Sequence, residues 1–152
     1  MPGGVRTFDP SKVAVSIGGY PISGFAEGTF IEAERNADMF TMKTGSDGHT
    51  SRTKSNNRSG TLTFTLAQTS MSNNVLSTIA VADELTSTGV VPIMINDLSG
   101  TTVIFSGTGW VRKMPNLAVG GDDISGVAWQ LDCADMDYFI GGNDAEDDAL
   151  NA

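Results

Sequence analysis

The sequence predicts an all-β fold, a small barrel or sandwich, with one flanking α-helix and a long projecting hairpin. Three observations carry that expectation. Glycine is frequent, 18 of 152 residues, and it occurs among Thr and Val rather than in Pro-rich repeats, a mixture that suits short strands joined by tight turns. Segments of alternating apolar and polar residues recur at regular spacing, roughly eight to ten of them. Only one stretch has convincing helical periodicity.

In chain order, Val13, Val15 and Ile17 alternate with Ala14 and Ser16, and Gly18-Gly19 then turns the chain into a second short strand. Pro21 has no N–H to give a ladder, so that strand belongs at an edge or at a strand start. In "TFIEAER", Phe30, Glu32 and Glu34 share one face while Ile31, Ala33 and Arg35 share the other. The next segment predicts a hairpin with Asp47-Gly48 at its tip, one side from Met39 to Thr44 and the return from His49 to Lys54, both polar toward the tip. With its approach the arm covers about 39–60. "TLTFTL" is the clearest strand, with Leu62, Phe64 and Leu66 toward a core and Thr61, Thr63 and Thr65 toward water or a partner.

The helix is expected over about 72–85, with Ser72 as N-cap, a stripe of Val75, Leu76, Ile79 and Ala82, and Gly89 as the stop. "VVPIMIND", "TTVIFSG", "GWVRKM" and "VAWQLDCADMDYFI" supply the remaining strands. The glycine-rich "SGTGW" and "GGDDISG" lack the Lys-Ser/Thr of a phosphate loop and are expected to be turns. Residues 1–143 form one domain in this reading. Residues 144–152 form an acidic, weakly ordered tail.

Composition excludes several functions. The 18 acidic and 9 basic residues give a formal charge of −9, which opposes general nucleic-acid binding because that requires phosphate neutralisation. No window approaches the ~18 consecutive apolar residues of a membrane span, and the N-terminus lacks the apolar core of a signal peptide. One cysteine, Cys133, rules out an internal disulfide framework. His49 is the only histidine and sits in the hairpin beside Asp47, where nothing would bury or orient it, so no Ser-His-Asp or Cys-His arrangement is expected. The chain is therefore expected not to be an enzyme and to need no cofactor or metal. "DCADMD", with Asp132, Asp135 and Asp137, lacks the Gly and closing Glu of a calcium loop and is expected to hold polar strand-end residues. "NRS" matches a glycosylation acceptor only formally. Trp110 and Trp129 are expected in the core, with the methionines filling gaps.

The basic hairpin remains. An extended polar hairpin buries no face of its own and is marginal alone. It becomes sensible when another subunit receives it. Lys43, Asp47, His49, Arg52, Lys54 and Arg58 are the expected contacts, with the three downstream cations meeting acids of the neighbour in a salt-sensitive interface.

The ordered segments "FDPSKVAVSIGGYPISGFAEGTFIEAERNADMFTMKTGSDG", "RSGTLTFTLAQTSMSNNVLSTIA", "VPIMINDLSGTTVIFSGTGWVRKMP" and "DYFIGGN" resemble the tail tube proteins of contractile-tailed bacteriophages, which are similar in fold to type VI secretion tube proteins. The resemblance runs from about Phe8 to Asn143. It implies a homo-hexameric ring stacked into a tube inside the tail sheath, bounded by baseplate and tail terminator proteins and filled by a tape measure protein until genome DNA passes through. It implies assembly in the host cytoplasm and residence in the virion. Under this reading the hairpin sets ring-to-ring register, and an acidic bore repels DNA from the wall. Glu32 and Glu34 are the first expected lumen acids, followed by Asp38 and Asp132, with placement on the outside as the alternative. Competing expectations are a terminator or baseplate ring protein of related fold and a monomeric carbohydrate-binding sandwich using Trp110 or Trp129.

Overall fold

The computed structural model describes residues 9–26, 28, 30–121 and 126–142. The tail expected over 144–152 and part of "GGDDISG" lie outside those residues. After a 3-10 turn at Pro10–Lys12, the chain forms β1 (Val13–Ile17), β2 (Tyr20–Ile22), β3 (Ile31–Arg35), β4 (Phe40–Thr44), β5 (Thr50–Lys54) and β6 (Gly60–Ala67). Helix α1 (Ser72–Thr86) follows, then β7 (Val91–Asp97), β8 (Val103–Lys113), β9 (Gly126–Cys133) and β10 (Asp137–Phe139). This is the all-β fold with one flanking helix.

Eight strands make one antiparallel sheet in the order β2-β1-β7-β8-β9-β6-β3, with β10 also on β8. Among the described residues, strands β4 and β5 pair only with each other. Gly18 and Gly19, at φ 61° and 85°, make the tight turn between β1 and β2. Pro21 lies on β2, an edge strand, as its missing N–H requires.

Period-two patterning builds the core. Leu62, Phe64 and Leu66 of β6 are fully buried, opposite Leu131, Trp129 and Val127 of β9 in the ladder. Val15, Ile17, Ile93, Ile95, Ile104 and Val111 complete the same cluster from the other half of the sheet. One face of a curled sheet thus supplies a single core, and α1 closes against it through Leu76, Ile79 and Ala80. Trp129 is buried, and its Nε1 donates to Asn73 Oδ1 on α1 at 2.9 Å.

Four expectations need correction. "TTVIFSG" and "GWVRKM" are one continuous strand, β8, so "SGTGW" is not a turn. A Cβ on Gly109 would strike Ile93 Cδ1, so glycine here allows close packing within a strand, next to a register shift in the β7–β8 ladder. Trp110 is only half-buried, on the opposite face from Trp129. Ser72 is not the N-cap: Met71 holds that position with no side-chain cap, and Ser72 Oγ instead accepts from the Ser23 N–H at 3.0 Å, tying α1 to the end of β2. Finally, the helix stops at Ser87 in the left-handed region (φ 57°), whose N–H donates to the Asp83 carbonyl. Gly89 is used two residues later, donating to Asp83 Oδ1 at 3.2 Å.

Candidate assembly interface

The arm formed by β4 and β5 has no interior. Every residue of both strands is exposed, and the ladder starts at Met39, whose carbonyl accepts from the Ser55 N–H at 2.8 Å. Its turn has Gly45 N–H bonded to the His49 carbonyl and Gly48 N–H to the Gly45 carbonyl, with Gly48 at φ 85°. That is the three-residue loop with a left-handed glycine favoured by twisted hairpins. At the usual rise per residue the arm extends roughly 20 Å from its root to Asp47.

The register separates its faces. Phe40 opposes Lys54 and Met42 opposes Arg52, so these four side chains share one side of the ribbon. The Arg52 guanidinium lies over the Phe40 ring, 4.2 Å from its centroid, a cation–π contact that holds the long side chain against the ribbon. Lys43 is on the other face, opposite Ser51. At the tip, Asp47 Oδ1 accepts from the His49 N–H at 3.1 Å, and the His49 ring is almost fully exposed. The arm is thus less polar than its sequence suggests. Phe40 and Met42 are absent from the expected contacts, although their alternation with Thr41 is visible in the sequence once the tip is fixed.

Arg58 stands apart from the other expected contacts. It ion-pairs with Asp135, Nε to Oδ1 at 3.2 Å, and with Asp137. Two of the three carboxylates of "DCADMD" are thereby explained as partners of Arg58. The third, Asp132, accepts from Arg112 Nε at 3.0 Å and Nη2 at 2.6 Å, and the same Nη2 donates to Thr61 Oγ1 at 3.0 Å. The hydrogen bond to Asp132, with its charge, pushes the Arg112 guanidinium above its already high ordinary value.

Three of the four expected lumen acids share a surface. In the β3–β6–β9 ladder, Glu34 stands opposite Thr61 and Thr61 opposite Asp132, while Glu32 stands opposite Thr63 and Thr63 opposite Gln130. Directly paired residues project to the same side. This sheet face is therefore a lattice of Thr, Gln and carboxylates on the side away from the core. Glu32 and Glu34 are exposed on it, whereas Asp132 is paired to Arg112. Asp38 is also exposed but lies in the link to the arm.

Among the described residues, the outer strands β2 and β3 each pair with a strand on one side only. Phe30 carbonyl accepts from Thr65 N–H and Asn36 N–H donates to the Ser59 carbonyl, so the alternating groups of Ile31, Ala33 and Arg35 point away from β6. The Ala33 carbonyl accepts from the Tyr138 hydroxyl at 3.0 Å, and Arg35 Nη2 donates to the Met136 carbonyl at 2.7 Å. The β10 region thereby braces both the β3 edge and the root of the arm.

The profile of the bacteriophage PhiTE tail tube protein family matches residues 11–141. The chain belongs to that family. The matched span contains the arm, the Thr-rich face and the β10 brace, so each of these is part of a tail tube family domain. The chain is also similar to Structural protein ORF10 of Pseudomonas phage KPP10, 28% identical over 153 residues, covering 94% of this chain and 87% of that one. Two solved structures share the fold. One is the anti-feeding prophage cap, which terminates the tube of that particle, at TM-score 0.60 and 9% identity over 90% of this chain and 93% of that one. The other is a sheath/tube terminator from the extracellular contractile injection system PVC in its extended state, at TM-score 0.59 and 12% identity over 91% and 100%. This tail tube family member is thus a phage tail structural protein with a fold shared by contractile injection systems.

Proposed function

We propose that this chain is the subunit of a hexameric ring that stacks on identical rings to form the inner tube of a contractile tail. The observation that carries this reading is the arm: a formed two-stranded ribbon, exposed on both faces and paired to no other strand among the described residues, of a kind that is marginal on a monomer. Stacking supplies its missing partner. Arg52, Lys54 and Lys43, with Asp47 and His49 at the tip, make the ring-to-ring contact, and Arg58 fixes the direction in which the arm leaves the body. The open sides of β2 and β3 become internal when neighbours in the ring supply strands, a head-to-tail contact that closes by rotation.

The Glu32, Glu34 and Thr face lines the bore. Its carboxylates repel phosphate, and Arg112, a cation on this face, is already held by Asp132 rather than offered to passing DNA. A tape measure protein occupies that bore before DNA. The sheath surrounds the tube, and baseplate and terminator proteins cap its ends. The assembled protein resides in the virion after assembly in the host cytoplasm. Electron microscopy of the purified protein tests the proposal: tubes of stacked rings support it, and solitary monomers at high concentration oppose it.

A second reading is favoured by the terminator folds of both solved neighbours: a ring that ends a tube rather than extends it. Such a ring stacks on one side only. The same micrographs separate the two, because a terminator gives single rings that never elongate.

A further inference from the structure

On the outer side of the sheet, away from the Thr-rich acidic region, lies a second region of opposite character. On β7, β8 and β10, Met94 stands opposite Phe105 and Phe105 opposite Asp137, while Asn96 stands opposite Val103 and Val103 opposite Phe139. These rows point away from the core, since the residues between them, Ile93, Ile95 and Ile104, are buried. Met94, Val103 and Phe105 are each more than a third exposed, and Phe139 is 61% exposed. A contiguous apolar strand face of this kind marks an interaction surface. Its one charged position, Asp137, is at the β10 margin, where Asp135 and Asp137 together face the single cation Arg58 and leave the rim one charge negative.

We propose that this face receives the arm of a second copy, with Phe40 and Met42 of the ribbon packed on the Phe105–Phe139 rows. The inference rests on the stacked-ring reading and adds the receiving surface to it. The ribbon presents two large apolar side chains flanked by Arg52 and Lys54 on the same side. The face presents apolar rows flanked by a negative rim. A two-stranded ribbon packed face to face on a sheet lets both keep their ladders while their side chains interdigitate. The cations then reach the rim while the methionine adapts to the aromatic surface. Contact at the rim also couples the incoming arm to Arg58, which orients the receiving copy's own arm, so one docked ring prepares the next.

Cross-linking between copies tests this. Met42→Cys and Phe139→Cys are made in separate chains, mixed, assembled and treated with a bismaleimide spanning the ~10 Å between stacked sheets. Cys133 is buried and gives no background. Because the two introduced thiols are on different chains, any link between positions 42 and 139 is intermolecular. The expected result is that this heterodimer is the main product in tubes and is absent from unassembled protein. A matched pair using Leu85→Cys on the exposed side of α1 in place of Phe139→Cys gives little. Tubes that form normally but link position 42 to position 85, or to neither, overturn the proposal and leave the stacked-ring reading intact. Absence of tubes from the unmodified protein overturns that reading instead.

Discussion

Arg58 Nε lies 3.2 Å from Asp135 Oδ1, linking the chain segment that leaves the arm to the turn that precedes β10. The sequence groups Arg58 with Arg52 and Lys54, but its charge is already used within the chain. Arg58→Gln is expected to cost less than about 1 kcal/mol, because Arg58 is 48% and each carboxylate partner 64% exposed and such pairs contribute little. Denaturant midpoints at low and high salt check this: salt should reduce the difference between variant and parent.

Arg52→Glu with Lys54→Glu separates assembly from folding. Both side chains are on exposed strands, so stability should stay within about 0.5 kcal/mol of the parent. Elongation should be lost. Circular dichroism and light scattering, read together, give the two outcomes, and an unfolded variant or one with normal elongation would contradict the assigned role.

The parts of this fold that the sequence makes legible are those where local chemistry decides the outcome. Gly18-Gly19, Pro21, the β6 alternation and the hairpin around Asp47-Gly48 each specify their conformation within a few residues. The errors fall where a distant neighbour decides. Gly109 looks like turn chemistry, yet it sits in a strand because Ile93 needs its space. Ser72 looks like a cap, yet its hydroxyl is taken by Ser23, 49 residues away. The pairing of Arg58 with Asp135 and Asp137 likewise depends on β10 folding back along β8, for which no local signal exists. Glu32, Glu34 and Asp132 stand out in the sequence only as acids, and the strand order is what reveals that they share a face.

Gly60 begins β6 where a Cβ would come within 2.7 Å of the Glu34 carbonyl and 2.5 Å of Met136 Cε. The methionine can move, but the carbonyl belongs to the β3 edge strand. Gly60→Ala should therefore cost about 1–3 kcal/mol, as for other overpacked sites, measured by urea unfolding. Near-parental stability would indicate that β3 shifts freely.

Burial pushes the Cys133 thiol above its ordinary range, outweighing the opposing hydrogen bond with Ser106. The folded state thus holds this proton more tightly than the unfolded chain. The resulting contribution is fully present below the unfolded thiol's pKa and is lost as pH rises from there toward the raised folded value. Stability should fall through that alkaline window, and Cys133→Ala should flatten the fall. Native protein should also resist thiol reagents that label the denatured chain.

Glu32→Lys with Glu34→Lys reverses the charge of the Thr-rich face without touching the core. Tubes should still assemble but should now retain DNA, and the retained fraction should drop steeply with salt because cation–phosphate contacts release counterions. Gel shift of assembled tubes over a salt series measures it. Parental behaviour in the variant would place this face away from the bore.

Cryo-electron microscopy of the protein in its assembled form decides whether the arm is completed by another copy. Stacked rings in which the β4–β5 ribbon of each subunit crosses to a subunit of the adjacent ring are the expected result. Density showing the ribbon laid on its own subunit, with no crossing between rings, would contradict it.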